Sequence, residues 1–197
     1  MEDWVQHAIA RWPNVPFLFG WLSLDRRGRW LIKGEIITRS QIVDTIGANY
    51  AADEYGRWYF QNGPQRGYVK LDCAPLVLSA SDDGQSLIAH TGARVVKPSA
   101  AFLDEEGSIL LMTEHGPGLL ADSDLDWALR HLEAAAGPVN EERLASALAL
   151  PSGTATALSL RIGPTRLPLV RLDADRAPAE LGFVRDPQPR EGERWSS

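Results

Sequence analysis

Gly63-Pro64-Gln65-Arg66-Gly67-Tyr68-Val69-Lys70-Leu71-Asp72-Cys73-Ala74-Pro75 has a counterpart later in the same chain. It is Gly163-Pro164-Thr165-Arg166-Leu167-Pro168-Leu169-Val170-Arg171-Leu172-Asp173, followed by Ala177-Pro178. Compared letter by letter, the match takes one inserted residue before the valine and two more before Ala-Pro. Each copy lies downstream of a strand, an Asp-x-x-Gly turn, a second strand and a helix, with the turns at Asp25/Gly28 and Asp104/Gly107. Asp-x-x-Gly alone is common turn chemistry, and convergence of turn residues is the alternative. Order, spacing and the Gly-Pro-x-Arg match together predict a duplicated unit of β-hairpin, helix and hairpin. The expected fold class is therefore α+β: antiparallel hairpins with a few short helices, in two related halves.

The rest of the chain fits this plan. Trp4, Val5, Ala8, Ile9 and Trp12 fall on one face of a helix over residues 3–12, which Pro13 and Pro16 end. Phe17–Leu24 and Arg29–Ile32 flank the first Asp-x-x-Gly turn. Thr38-x-x-Gln41 has the form of a capping box before a helix burying Ile42, Val43 and Ile46. Strands near 57–62 and 67–72 meet at Asn62-Gly63-Pro64, and Leu76–Ala80 with Ser86–Thr91 forms a further hairpin. After Lys97-Pro98 the plan restarts, with a helix near Ser123 that puts Leu125, Ala128, Leu129 and Leu132 at core spacing. A second helix opens at Asn140, and Thr156–Ile162 pairs with Leu167–Leu172. The domain expectation is residues 1–97, then 98–184, then a loose polar tail over 185–197.

Composition excludes several classes. With 44% hydrophobic and 23% charged residues, the chain is not of disordered type. A net charge of −6 without a basic stripe argues against nucleic acid and against anionic membrane surfaces as partners. One cysteine, Cys73, allows no intrachain disulfide. The acidic Met1-Glu2-Asp3-Trp4 start is unlike a signal peptide, and no apolar run nears the roughly 20 residues a bilayer demands. A cytoplasmic location follows as the expectation.

Three segments also carry a resemblance: Gly20-Trp21-Leu22-Ser23-Leu24-Asp25-x-x-Gly28-x-Trp30, then Trp58-Tyr59-Phe60-Gln61-Asn62-Gly63-Pro64, then Asp72-Cys73-Ala74-Pro75. Through them the chain resembles uncharacterised proteobacterial proteins catalogued as domains of unknown function, whose two halves share a repeated motif. The likeness covers residues 17–115 and the remainder poorly. It implies a ligand-sensing or signalling role and brings no catalytic residues with it.

Motifs with known chemistry are weak. Gly116-Pro117-Gly118-Leu119-Leu120-Ala121 fits G-x-G-x-x-A, but Pro117 offers a phosphate no N–H, and Asp122 and Asp124 would repel it. The segment reads as a connecting turn. Asp122, Asp124, Asp126 and Glu133 follow the spacing of a calcium loop, but Trp127 stands where that loop needs glycine. The four histidines, His7, His90, His115 and His131, show no metal-ligand spacing, and a G-x-S-x-G elbow is absent. No metal and no cofactor is expected. Cys73 reads as a small buried hydrophobe.

One surface stands out. If Trp58 and Phe60 point inward with Val69 and Leu71, alternation puts Tyr59, Gln61, Tyr68 and Lys70 on the opposite face beside Arg66. That face suits a small anionic ligand or a partner strand, against the plainer reading of cross-strand pairs on a solvated sheet. The leading expectation is a non-enzymatic ligand-binding or sensory module with its site at the seam between the halves. A protein–protein adaptor ranks second, with a homodimer left open. An enzyme of unassigned reaction ranks third, its acids and bases drawn from Asp72, Asp173, Glu114 and His115.

Overall fold

Alternating apolar residues bounded by Gly and Asp turns build two sheets. The structure, a computed structural model, describes residues 14–135 and 137–196, so the helix expected over 3–12 lies outside the described residues. By contacts the chain groups into two units: residues 1–75 with 182–197 (unit 1), and residues 76–181 (unit 2).

Unit 1 contains β1 (Phe17–Leu24), β2 (Trp30–Ile32), β3 (Glu35–Ile36), α1 (Ser40–Ala48), β4 (Tyr50–Ala52), β5 (Trp58–Asn62) and β6 (Gln65–Leu71). Its sheet runs β3-β2-β1-β6-β5-β4, with a late strand, β16 (Trp195–Ser196), added beside β1. The central pair, β1 and β6, is parallel, and the other neighbours on that path are antiparallel. Leu18, Leu22, Trp30, Ile32, Trp58, Phe60 and Val69 form its core. α1 lies over the side carrying Leu22, Ile32 and Phe60. It starts at Ser40 with Arg39 at its N-cap and no side-chain capping bond, so the expected Thr38 box does not form: Thr38 stands outside the first turn. Of the three residues expected to be buried there, Ile46 is buried, while Ile42 and Val43 are half-buried.

Unit 2 contains β7 (Leu76–Ala80), β8 (Leu87–Ala89), β9 (Arg94–Val95), β10 (Ala100–Leu103), β11 (Ile109–Thr113) and β12 (Gly116–Leu120). A 3-10 turn (Asp122–Asp124), α2 (Leu125–His131), β13 (Leu132–Ala134), α3 (Glu141–Leu148), β14 (Ala155–Ile162), β15 (Thr165–Arg171) and α4 (Ala177–Leu181) follow. Its sheet runs β13-β14-β15-β10-β11-β12-β7-β8-β9. The first six strands, read in reverse, have the order and the parallel central pair of unit 1. The two Gly-Pro turns are matched as well. Gly63 and Gly163 both adopt positive φ, and each turn leads into a strand of seven residues. Aligned on these turns, β6 and β15 need no insertion, so Val69 corresponds to Leu169 and Leu71 to Arg171.

Four further expectations differ from what is found. β7, β8 and β9, grouped by sequence with the first half, hydrogen-bond into the sheet of unit 2 through β12. Gly116–Leu120 is not a turn but an interior strand between β11 and β7. Gly118 is needed there, because a Cβ would meet the Leu78 side chain at 2.8 Å. In α2 the register turns so that Trp127 and Ala128 are buried, while Leu125 and Leu129 stay exposed. Trp127 Nε1 donates to Gly84 O at 2.9 Å. Finally, the segment from Arg185 is no loose tail but packs into unit 1 through ion pairs, a ring contact and β16.

Candidate functional site

The Asp-x-x-Gly turns are small machines for holding a loop. At the β4–β5 connection Asp53 Oδ1 accepts from the N–H groups of Tyr55 and Arg57, and Gly56 N–H donates to Asp53 O. Asp25 and Asp104 do the same at their own turns. In two of the three the next residue is arginine, and its Nε bonds back to the aspartate: Arg29 to Asp25 at 2.7 Å and Arg57 to Asp53 at 2.8 Å.

Arg57 goes further. Nη1 donates to Gln188 O and to Glu193 Oε2, both at 3.0 Å; Nη2 donates to Glu193 Oε1 at 2.7 Å and to the Tyr68 hydroxyl at 3.1 Å. Tyr68 in turn donates to Asp53 Oδ2 at 3.1 Å. The guanidinium is thus fully used, and its side chain is 5% exposed. The Glu193 fork raises the Arg57 pKa above its ordinary value against the opposing effect of burial. Burial pushes the Asp53 carboxyl up, but the Arg57 and Tyr55 bonds outweigh it and hold Asp53 below the usual range. The Arg57 fork likewise lowers Glu193, against burial.

Beside this hub a cleft of about 690 Å³ opens, its walls formed by β4 to β6, their turn and residues 190–193. That volume lies in the range of small-molecule sites. Two further guanidiniums line it. Arg66 lies 4.4 Å over the Tyr59 ring, with Nε 3.4 Å from Gln61 Oε1; Arg190 lies 3.6 Å over the Tyr55 ring. Neither has a carboxylate at ion-pair distance among the described residues. Phe17, Tyr55, Tyr59 and Tyr68 supply the aromatic lining, and Phe19 stacks on Tyr68 at 4.5 Å.

The five residues singled out by alternation share one face, since Tyr59 is registered with Tyr68 and Gln61 with Arg66. Tyr59, Arg66 and Tyr68 line the cleft. Gln61 braces the hairpin through Gly63 O and Gln65 O and touches Arg66. Lys70 stands apart, in an exposed 3.6 Å pair with Asp186. Sequence reading missed Asp53, Tyr55, Arg57, Arg190 and Glu193. The string Asp53-x-x-Gly56-Arg57 repeats Asp25-x-x-Gly28-Arg29, and that match was the available clue.

Of the acids and bases named for an enzyme, Glu114, His115 and Asp173 are otherwise engaged, and Asp72 makes a backbone bond to Leu24 O. Glu114 accepts from the backbone N–H groups of Val96 and Lys97, and His115 Nε2 contacts Arg94 O at 2.9 Å. Asp173 pairs with Arg171 at 2.8 Å. Of the calcium-spaced acids, Asp124 accepts from Ala80 N–H and Glu133 binds two arginines. No group of three His, Cys, Asp or Glu residues able to hold a metal occurs among the described residues. No described helix is long and apolar enough to cross a membrane.

The architecture is that of an α+β protein built on two mixed sheets. The DUF2944 family model, a protein of unknown function (DUF2946), matches residues 1–188, and the chain belongs to that family. No curated protein matches it. A crystal structure of a DUF1285 family protein from Silicibacter pomeroyi DSS-3 is similar at 17% identity and TM-score 0.52, over 80% of this chain and 84% of that one. A second DUF1285 family protein, from Shewanella baltica OS155, is 13% identical with TM-score 0.42, over 53% of this chain and 86% of its own. The first likeness shows a shared fold.

Proposed function

We propose that this protein is a non-enzymatic sensory module that binds a small anionic ligand in the cleft of unit 1. The observation that carries the reading is the contrast among the three arginines that line the cleft. Arg57 is spent on Asp53, Glu193, Gln188 and Tyr68, whereas Arg66 and Arg190 lie over aromatic rings without a carboxylate partner among the described residues. Guanidiniums held flat by aromatic faces are preorganised for an oxyanion. Tyr59, Arg66 and Tyr68 are the contacts carried by the sheet, and Gln61 steadies Arg66. The proposal puts the ligand inside one unit rather than at a seam between halves, and takes the cytoplasm as its setting.

We also infer that the two units derive from one duplicated hairpin–helix–hairpin. Their common strand order, parallel central pair and equivalent Gly-Pro turns support it.

Native mass spectrometry of freshly purified protein, with the denatured sample as control, tests the binding reading. A discrete excess mass, lost on denaturation and absent from Tyr59→Ala, is the expected result. A bare monomer in every preparation would count against a tight ligand, and a bare dimer would favour the adaptor alternative.

A further inference from the structure

The repeated topology lets the two sheets be compared position by position. In unit 1 Ala51 pairs with Tyr59, Tyr59 with Tyr68, and Gln61 with Arg66. In unit 2 the same ladder reads Glu133 with Ser159, Ser159 with Pro168, and Arg161 with Arg166. Arg66 and Arg166 therefore hold equivalent places, and Glu133 stands where unit 1 has Ala51.

Glu133 uses that place fully. Oε1 accepts from Arg161 Nε at 2.5 Å, and Oε2 lies 3.0 Å from Arg166 Nε. One carboxylate thus bridges two arginines from the edge strand. In unit 1 this arrangement has changed at three positions, one of them Tyr59 in place of Ser159. Gln61 replaces the first arginine, and Ala51, a methyl group on an exposed edge, replaces the glutamate. Arg66 keeps its guanidinium, stacked on Tyr59 and lining the cleft. Arg66 is half-buried where Arg166 is exposed, so a carboxylate beside it would meet a lower effective dielectric than Glu133 does.

We propose that Arg66 is the anchor for a ligand carboxylate, which takes in unit 1 the place the Glu133 side chain fills in unit 2. The proposal rests on the reading of the cleft as a ligand site and names the ligand class: a small carboxylate whose flat body meets the tyrosine rings. Unit 2 fills this position with its own carboxylate; unit 1 leaves it to a molecule from solution.

The test is an NMR titration of arginine Nε–H signals with benzoate, benzamide as the neutral isostere and phenyl phosphate as the competing anion. Assignment comes from the Arg66→Gln and Arg166→Gln spectra. Benzoate is expected to shift the Arg66 signal saturably while benzamide does not. Ala51→Glu adds the carboxylate in cis and removes no contact. It should weaken benzoate binding by about tenfold or more, as expected when a charged hydrogen bond is pre-empted. Glu133→Ala should make the Arg166 signal respond to benzoate as a second site. An unmoved Arg66 signal, equal affinity in Ala51→Glu, or a response to phenyl phosphate alone would overturn the assignment. An excess mass in native spectra that survives Arg66→Gln would do so too, while leaving the cleft as a ligand site. A saturable Arg66 response in protein that never carries an excess mass would instead uphold the carboxylate anchor and remove the support for a resident ligand.

Discussion

Arg57 has five N–H groups, and each meets an acceptor: Asp53, Gln188, Glu193 twice and Tyr68. A buried charge is tolerable only on such terms, because an uncompensated ion in a low dielectric costs several kcal/mol. Removing it also strands the Asp53 and Glu193 carboxylates. Arg57→Met is therefore expected to lose about 3–5 kcal/mol of stability, measured by urea unfolding, with Glu193→Gln milder at about 1–3 kcal/mol. Equal and negligible losses in both would show that the hub is ornamental. The hub was half legible. Asp53 and Arg57 lie four positions apart, in a string the chain also uses at Asp25. Glu193 lies 136 positions from Arg57, and nothing in a run of polar residues marks which acid will cross that distance. The sheet face was readable for the converse reason: period-two alternation is local, so Tyr59 and Arg66 could be placed on it without the fold.

Turns and strands behave as the local chemistry dictates until a distant element intervenes. Gly56 shows this. Its φ of +74° belongs to the Asp53 turn, but the space above it belongs to a later segment: a Cβ would lie 2.5 Å from Gly182 O. Val184 N–H also donates to Gly56 O at 2.9 Å. Gly56→Ala should thus cost about 1–3 kcal/mol from backbone strain, with further loss from the clash. Hydrogen exchange at Val184 should accelerate more than exchange at Leu22; uniform acceleration across unit 1 would contradict a local origin. β12 shows the same limit from the other side. Gly116, Pro117 and Gly118 carry every local mark of a turn. They form a strand because Pro117 precedes the residues paired with β7, where its missing N–H leaves no ladder bond unmade, and because Gly118 makes room for Leu78. Neither reason can be read from the segment alone.

The two units should also answer acid differently. His90, in unit 2, has a buried Nε2, and its Nδ1 accepts from Val77 N–H at 3.2 Å. Burial lowers its pKa from 6.5 to about 4. Between those values the unfolded chain takes up a proton that the fold refuses, so stability present above pH 6.5 drains away as the pH falls toward 4. Asp53 and Glu193, in unit 1, have depressed pKa values. Their contribution is complete above the ordinary carboxylate range and is lost only below about pH 4.5, as protons reach the folded carboxylates. Amide exchange across pH 7 to 4 should therefore loosen β7 and β8 before β5 and β6; the reverse order would contradict both assignments. Residues 76–181, which carry their own nine-stranded sheet, should fold when expressed alone, giving dispersed amide signals and a cooperative melt. A collapsed, poorly dispersed spectrum would show that the sheet depends on the flanking chain.

Unit 1 is written in two instalments, with all of unit 2 between them. During synthesis Arg57 leaves the ribosome long before Gln188 and Glu193, and residues 76–181 have time to complete their sheet in the interval. The nascent first instalment carries Arg57 through that wait without its fork. Closure of the cleft wall is accordingly a late event. A translation stop anywhere between 182 and 192 would release a chain whose inserted unit is finished and whose Arg57 lacks its Glu193 fork.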